Sequence, residues 1–281
     1  MGTPFIAHLE PTPLPWDRTL PSHEQTDPSI PRTFLDAMAV RQQVFVGEQG
    51  VPLENEFDAD DHRSCHWVIY ASVNQTVQAA VTDPATGAVV QPRKSSTTSL
   101  PIGTVRLVPF PHPPHPADGA EYVDGRLVGQ AGDGKPPSAP ARRPKEDGPS
   151  FMPDRPTTYH DGHEPYVKLG RLAVIPEFRG RGIGRQLVAA AVSWMRQNPE
   201  YFNPSPLVKG FEQLGMEYRD GKVPKWNGLI CVHAQESAVR MWEKCGFKVD
   251  EGMGRWKEEG IPHVGMFVRV EPGESEPAKQ D

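Results

Sequence analysis

Residues 172–185, LAVIPEFRGRGIGR, bring together the residue types and spacing that speak most directly of chemistry. Gly180, Gly182 and Gly184 alternate with Arg181 and Ile183, behind an apolar strand-like run and ahead of a helical one. Alternating glycines let successive backbone N–H groups turn toward one point, and the start of a helix adds partial positive charge there. Arg179, Arg181 and Arg185 add full charges in the same place. The result is an anion cradle suited to a pyrophosphate. Two nucleotide loops fail on spacing. A Walker loop requires G-x-x-x-x-G-K-[ST], and no Lys-Ser or Lys-Thr follows these glycines. A dinucleotide fingerprint needs G-x-G-x-x-G close behind the strand. Here Arg185 stands where the third glycine belongs, and Ile175 to Phe178 separate the strand from Arg179.

The elements that must position this loop can be read around it. Residues 166–174 form a strand pattern with an internal glycine, a frequent mark of a bulge or close backbone approach. A helix is expected from Ile183 to Gln197, with Leu187, Val188, Ala191, Trp194 and Met195 as its core-facing stripe. Further helices are expected over 32–44 and 237–245, the second ended by Gly246 as a C-cap. Strands are expected at 66–72, 102–108, 229–234, 247–249 and 264–270.

Between these pieces the composition changes. Residues 1–33 form a proline-rich, extended N-terminal arm, and 34–270 hold the folded domain. Residues 83–99 and 199–226 read as polar insertions, and 271–281 as a polar tail. From Pro109 to Pro149 there are ten prolines, so 110–160 is expected to be a mostly disordered insertion with a short ordered piece at 121–128. His112 and His115 lie inside it, and no metal is expected.

Bulk properties exclude several classes. The 281 residues carry a net charge of −6, which argues against general nucleic-acid affinity. Cys65, Cys231 and Cys245 form no C-x-x-C, and their odd number argues against a disulfide framework. No apolar stretch reaches membrane-helix length, and the N-terminus lacks a signal-peptide pattern, so a cytoplasmic or nuclear location is expected.

The loop also fits Arg/Gln-x-x-Gly-x-Gly/Ala, the coenzyme A loop of the Gcn5-related N-acetyltransferases (GNAT), at every specified position from Arg179 to Gly184. Trp242-Glu243-Lys244-Cys245-Gly246-Phe247 resembles a helix-end signature of that family. Within it, Arg41-x-x-Val44-Phe45-Val46-x-Glu48-Gln49, Ala234-Gln235 and residues 259–266 (EGIPHVGM) resemble the ElaA/YjcF-like branch. The resemblance implies an α/β fold with a mixed, twisted central sheet, flanked by helices and split between its fourth and fifth strands. It implies an acetyl-CoA-dependent N-acetyltransferase working by direct attack of an amine, without a metal. A small primary amine such as an amino sugar or polyamine is the expected acceptor, with no nucleic-acid or membrane partner. A homodimer is compatible with this reading. The alternative is a catalytically degenerate acyl-CoA sensor or interaction module.

By position, the resemblance implies that amides of Leu172, Ala173 and Val174 face the thioester. Arg179, Gly180, Arg181, Gly182, Ile183, Gly184 and Arg185 would hold the pyrophosphate, with Gln235 and Trp242 beside the cofactor. Trp242 stands where the family often has a tyrosine that protonates the leaving thiolate, and an indole N–H delivers no proton at neutral pH. The strand at 166–174 offers no carboxylate base. Glu48, His263 and His233 are the candidate bases, and Asp58, Asp60 and Asp61 form an acidic cluster that would attract a cationic amine.

Overall fold

The computed structural model describes residues 5–130, 154–203 and 225–273. The centre of the expected proline-rich insertion, most of the second insertion and the tail from 274 onward lie outside the described residues.

A large mixed sheet organises the chain. Its strands are β1 (Phe5–Leu9), β2 (Cys65–Gln78), β5 (Lys94–Val108), β6 (Ala120–Val123), β7 (Arg126–Gln130), β8 (Val167–Val174), β9 (Leu229–Gln235), β10 (Lys248–Val249), β11 (Arg255–Glu258) and β12 (Ile261–Arg269). The order is β1-β2-β5-β8-β9-β12-β11-β6-β7, with β10 beside β12. The pairs β8–β9 and β11–β6 are parallel and the other pairs antiparallel. Two short strands, β3 (Val81–Thr82) and β4 (Val89–Gln91), pair with each other.

Helices cover both faces. The helix α3 (Ile183–Gln197) has the bounds expected from its stripe, and Leu187, Val188, Ala191 and Met195 are buried on one face of the sheet. Trp67, Ile69, Val105, Leu107, Leu169 and Val232 belong to the same cluster. The short α4 (Val239–Glu243) packs there too, and Gly246 after it takes φ +92°, as a helix-ending glycine does. Alternation sends Val68 and Tyr70 to the opposite face. There α1 (Arg32–Arg41) covers them through Ala37, while Phe34 and Met38 pack with Phe57.

Three segments depart from the sequence expectation. Residues 5–9 of the proline-rich arm pair with β2 as an edge strand. Residues 94–99, read as insertion, continue β5 and pair with β2 in an exposed ribbon. Both of its faces are solvated, so no apolar alternation marked it. The ordered piece near 121–128 is the β6–β7 hairpin, joined to β11, a strand that was not foreseen.

After α1 the chain does not stop. Residues Gln42–Glu48 form a π-helical turn, with Gln49 N–H bonded to Val44 O at 3.2 Å. A following short helix, α2 (Leu53–Glu56), brings Glu56 under the sheet.

Candidate functional site

The glycine loop has the backbone its sequence demands. Gly180 and Gly182 take φ +74° and +77°, where L side chains are strained, and no atom of the described residues lies within 4 Å of a Cβ built on either. The glycines therefore serve conformation and leave open space above the loop. Gly182 precedes α3 without a side-chain cap, and the helical ladder starts with Gln186 N–H on Gly182 O at 3.1 Å. The amides of Ile183, Gly184 and Arg185 lie ahead of that ladder, where helix ends bind anions. Arg185 is exposed, and the Arg181 guanidinium sits 5.4 Å from the Phe178 ring centre.

Beside the loop the sheet opens. β8 pairs with β9 only from Val167↔Ile230 to Leu169↔Val232. Beyond Leu169, β8 stays on β5 while β9 follows β12 as far as Gln235. This is the expected split between the fourth and fifth strands of the resemblance. A bulge accompanies it: Thr104 faces Ala173, but Arg106 faces Gly170, so β8 carries one extra residue. Arg171, next to Gly170, takes φ +49° there. Ile175 N–H bonds to Ile102 O at 3.0 Å on the β5 side. Alternation then turns the Val174 and Leu172 amides toward the split and the Ala173 amide toward β5. Of the three expected amides, two face the opening.

Two contacts bridge its mouth. Arg179 donates to Val174 O and to Glu48 Oε1, both at 2.8 Å. Gln49 and Gln235 exchange side-chain amide hydrogen bonds of 3.2 and 2.9 Å across the two halves. Thus Glu48 is brought to the cradle as a partner of Arg179, and Gln235 to the edge of the opening. Trp242 lies elsewhere than expected. It is 4% exposed, edge-to-face on Phe247, and fills core beneath α4. Met241 is the α4 residue beside Gly184.

On the face away from α3, His233 sits in a polar group that the sequence did not announce. Its Nδ1 lies 3.0 Å from Glu258 Oε1 and 3.3 Å from Lys168 Nζ, and Trp256 Nε1–H donates to the same carboxylate at 2.8 Å. Burial, then the Lys168 charge, push the His233 imidazole down to about 4. Glu258 would be raised by burial, yet His233 and the nearby charges hold it well below the usual range. His263 is buried, and its Nδ1 donates to Ile261 O at 2.8 Å within its own strand.

The expected acidic attractor is corrected. Asp61 bonds Arg41 at 2.6 Å and Arg106 at 2.8 Å, and Asp58 bonds Arg106 at 2.6 Å and Arg171 at 2.9 Å. Glu56 bonds Arg41 at 2.6 Å, and Asp60 bonds Arg63 at 2.8 Å. Burial opposes ionisation of Asp61, but Arg41 and Arg106 hold it well below the ordinary carboxyl value. These carboxylates are committed to arginines and offer no spare charge to an amine.

Buried neutral histidines make stability depend on pH. Burial pushes His66 and His233 from 6.5 to about 4. With folded values below unfolded ones, their stabilisation is complete above about 6.5 and is lost as pH falls toward 4. The expected loss at pH 5 is on the order of 2 kcal/mol per histidine. Urea denaturation at pH 7 and pH 5 measures it, and equal midpoints would contradict it.

Similar solved structures include a chain from Lactobacillus plantarum (20% identity, 96% of this chain and 99% of that one, TM-score 0.43). Escherichia coli ElaA (14%, 95% and 100%, TM-score 0.42) is another. A third is an acyl-CoA N-acyltransferase from Pseudomonas aeruginosa (15%, 95% and 100%, TM-score 0.42). No curated protein matches. The family model described as "Acetyltransferase (GNAT) family" matches residues 40–203, more than half of the sequence and inclusive of bulge, cradle and α3, and the chain belongs to that family.

Proposed function

We propose that this protein transfers the acetyl group of acetyl-CoA to the nitrogen of a small primary amine. The observation that carries the reading is the opening between β8 and β9 directly beside the glycine cradle, with the Leu172 and Val174 amides turned into it. The residues fit coenzyme A: the space above Gly180 and Gly182 is open, and the first amides of α3 have no partner within the helix. Bound there, the cofactor supplies a thioester-activated acetyl group.

The chain's own residues then have distinct tasks. Amides 180–185 and Arg185 bind the pyrophosphate, as helix N-termini do. The Leu172 and Val174 amides donate to the oxyanion that develops when nitrogen attacks the carbonyl carbon. The C–N bond forms, the C–S bond breaks, and the ammonium proton must leave. The shorter of the two contacts at His233 Nδ1, with Glu258, takes the Nδ1–H, and Lys168 Nζ at 3.3 Å acts on the ring through its charge, so Nε2 keeps the lone pair. Burial holds His233 near 4, so it is neutral at pH 7. The amine attacks as its neutral form, and His233 takes the nitrogen's proton as the C–N bond forms, when that N–H is most acidic, and releases it to water. Trp242, buried in the core, supplies no proton to the thiolate, which takes one from solvent.

Thiol release measured over a panel of amino sugars, polyamines and amino acids tests the function. Turnover on at least one amine is expected. CoA binding without turnover on any would favour an acyl-CoA sensor instead. His233→Gln is expected to lower kcat by about 100-fold with little change in KM for acetyl-CoA. An unchanged kcat would remove His233 from the mechanism.

A further inference from the structure

We propose that His115, Asp154 and His160 bind a divalent ion of the zinc type, outside the acyl-transfer site, clipping the proline-rich insertion to the sheet. The three residues come from segments 39 and 45 positions apart in sequence, on either side of the residues not described. Their ligand atoms all lie within 4.8 Å of one another. His115 Nε2 is 2.8 Å from His160 Nδ1 and 3.6 Å from Asp154 Oδ2. Zinc bonds of about 2 Å call for ligand atoms separated by roughly 3.3 Å, a shift of about 1 Å from the present positions.

The surroundings orient the ligands as metal sites do. His160 Nε2 lies 2.9 Å from Glu164 O. A carbonyl only accepts, so Nε2 carries the proton and Nδ1 presents its lone pair to His115 and Asp154. Asp154 is held by two backbone amides: His115 N–H donates to Oδ2 at 2.8 Å and Arg155 N–H to Oδ1 at 2.7 Å. The rings are fixed as well. His115 stacks on Tyr166 at 5.6 Å and His160 on Phe267 at 6.1 Å, and both histidines are buried. Two imidazoles and one carboxylate form a donor set suited to zinc, with a fourth position left for water. A cavity of about 40 Å³ reaches Asp154 and His160, with His112, His163 and Glu164 also on its wall, and gives a water and an ion access.

The consequence is mechanical. Tyr166 directly precedes β8, so the ion would tie the insertion to the strand that carries the bulge. Full-length, tag-free protein stripped with a chelator is titrated with Co²⁺ and, separately, Zn²⁺. About one equivalent should bind, with the visible ligand-field bands of a four-coordinate cobalt site, and Tm should rise by several degrees. His160→Gln and Asp154→Asn should each weaken Zn²⁺ binding at least about 10-fold, while His23→Gln, at an exposed histidine, leaves it unchanged. Near-ultraviolet circular dichroism establishes that the variants fold. Absence of stoichiometric binding to the wild-type chain overturns the proposal, as does full binding by folded His160→Gln.

Discussion

Gly182→Asp should weaken CoA binding by on the order of 1,000-fold, while Gly182→Asn costs far less. Both side chains meet open space, since among the described residues nothing lies within 4 Å of a Cβ at this position. Both must adopt φ +77°, which costs an L residue about 1 kcal/mol and which Asn and Asp tolerate best. The pair therefore differs in charge alone. A carboxylate about 4 Å from a pyrophosphate charge, at an effective dielectric near 20, adds about 4 kcal/mol of repulsion. That energy corresponds to roughly three decades in Kd. Calorimetric titration with CoA reads it directly. Equal losses in the two variants would mean that the anion does not sit over this loop.

Asp61→Asn should destabilise the fold by about 3–5 kcal/mol, read as a lower urea midpoint. Asp61 and Arg41 are buried, with side chains 0% and 1% exposed, and Arg106 is nearly so at 6%. Three carboxylates, Glu56, Asp58 and Asp61, balance Arg41, Arg106 and Arg171 in one connected group. Asp61 is the member shared by Arg41 and Arg106, so neutralising it leaves three guanidinium ions facing two carboxylates, one charge uncompensated away from water. Arg41→Met with Asp61→Leu should cost less than Asp61→Asn alone if the packing accommodates them, because removing both charges avoids stranding one of them. The same group turns the bulged Arg171 side chain onto Asp58 and Glu56, so a loosened network should also lower kcat.

Where a residue type is dictated by local backbone, the sequence was readable. Only glycine suits φ near +75° without strain, so the cradle was visible at Gly180 and Gly182, and α3 showed itself through its stripe. Pairing across distance was not readable. Lys168, His233 and Glu258 come from three strands, and no spacing connects them. Asp58 and Asp61 looked like free charge because Arg41, Arg106 and Arg171 belong to three separate elements. Gly170 pointed to the bulge region, but the positive φ falls on Arg171, one residue later. The branch resemblance at Glu48 and Gln49 led to the mouth of the split, though Glu48 meets Arg179 there.

The π-helical turn Gln42–Glu48 sets that last arrangement like the offset tooth of a gear. Each residue of an α-helix advances side chains by about 100° around the axis, and a π turn absorbs an extra residue without breaking the helix. Winding the same residues at α-helical pitch would swing Glu48 and Gln49 by about 100° around the axis, off Arg179 and Gln235. The segment is therefore a place where chain length, more than side-chain identity, aligns the two banks of the opening. Substitutions within it should be tolerated far better than insertion of a further residue.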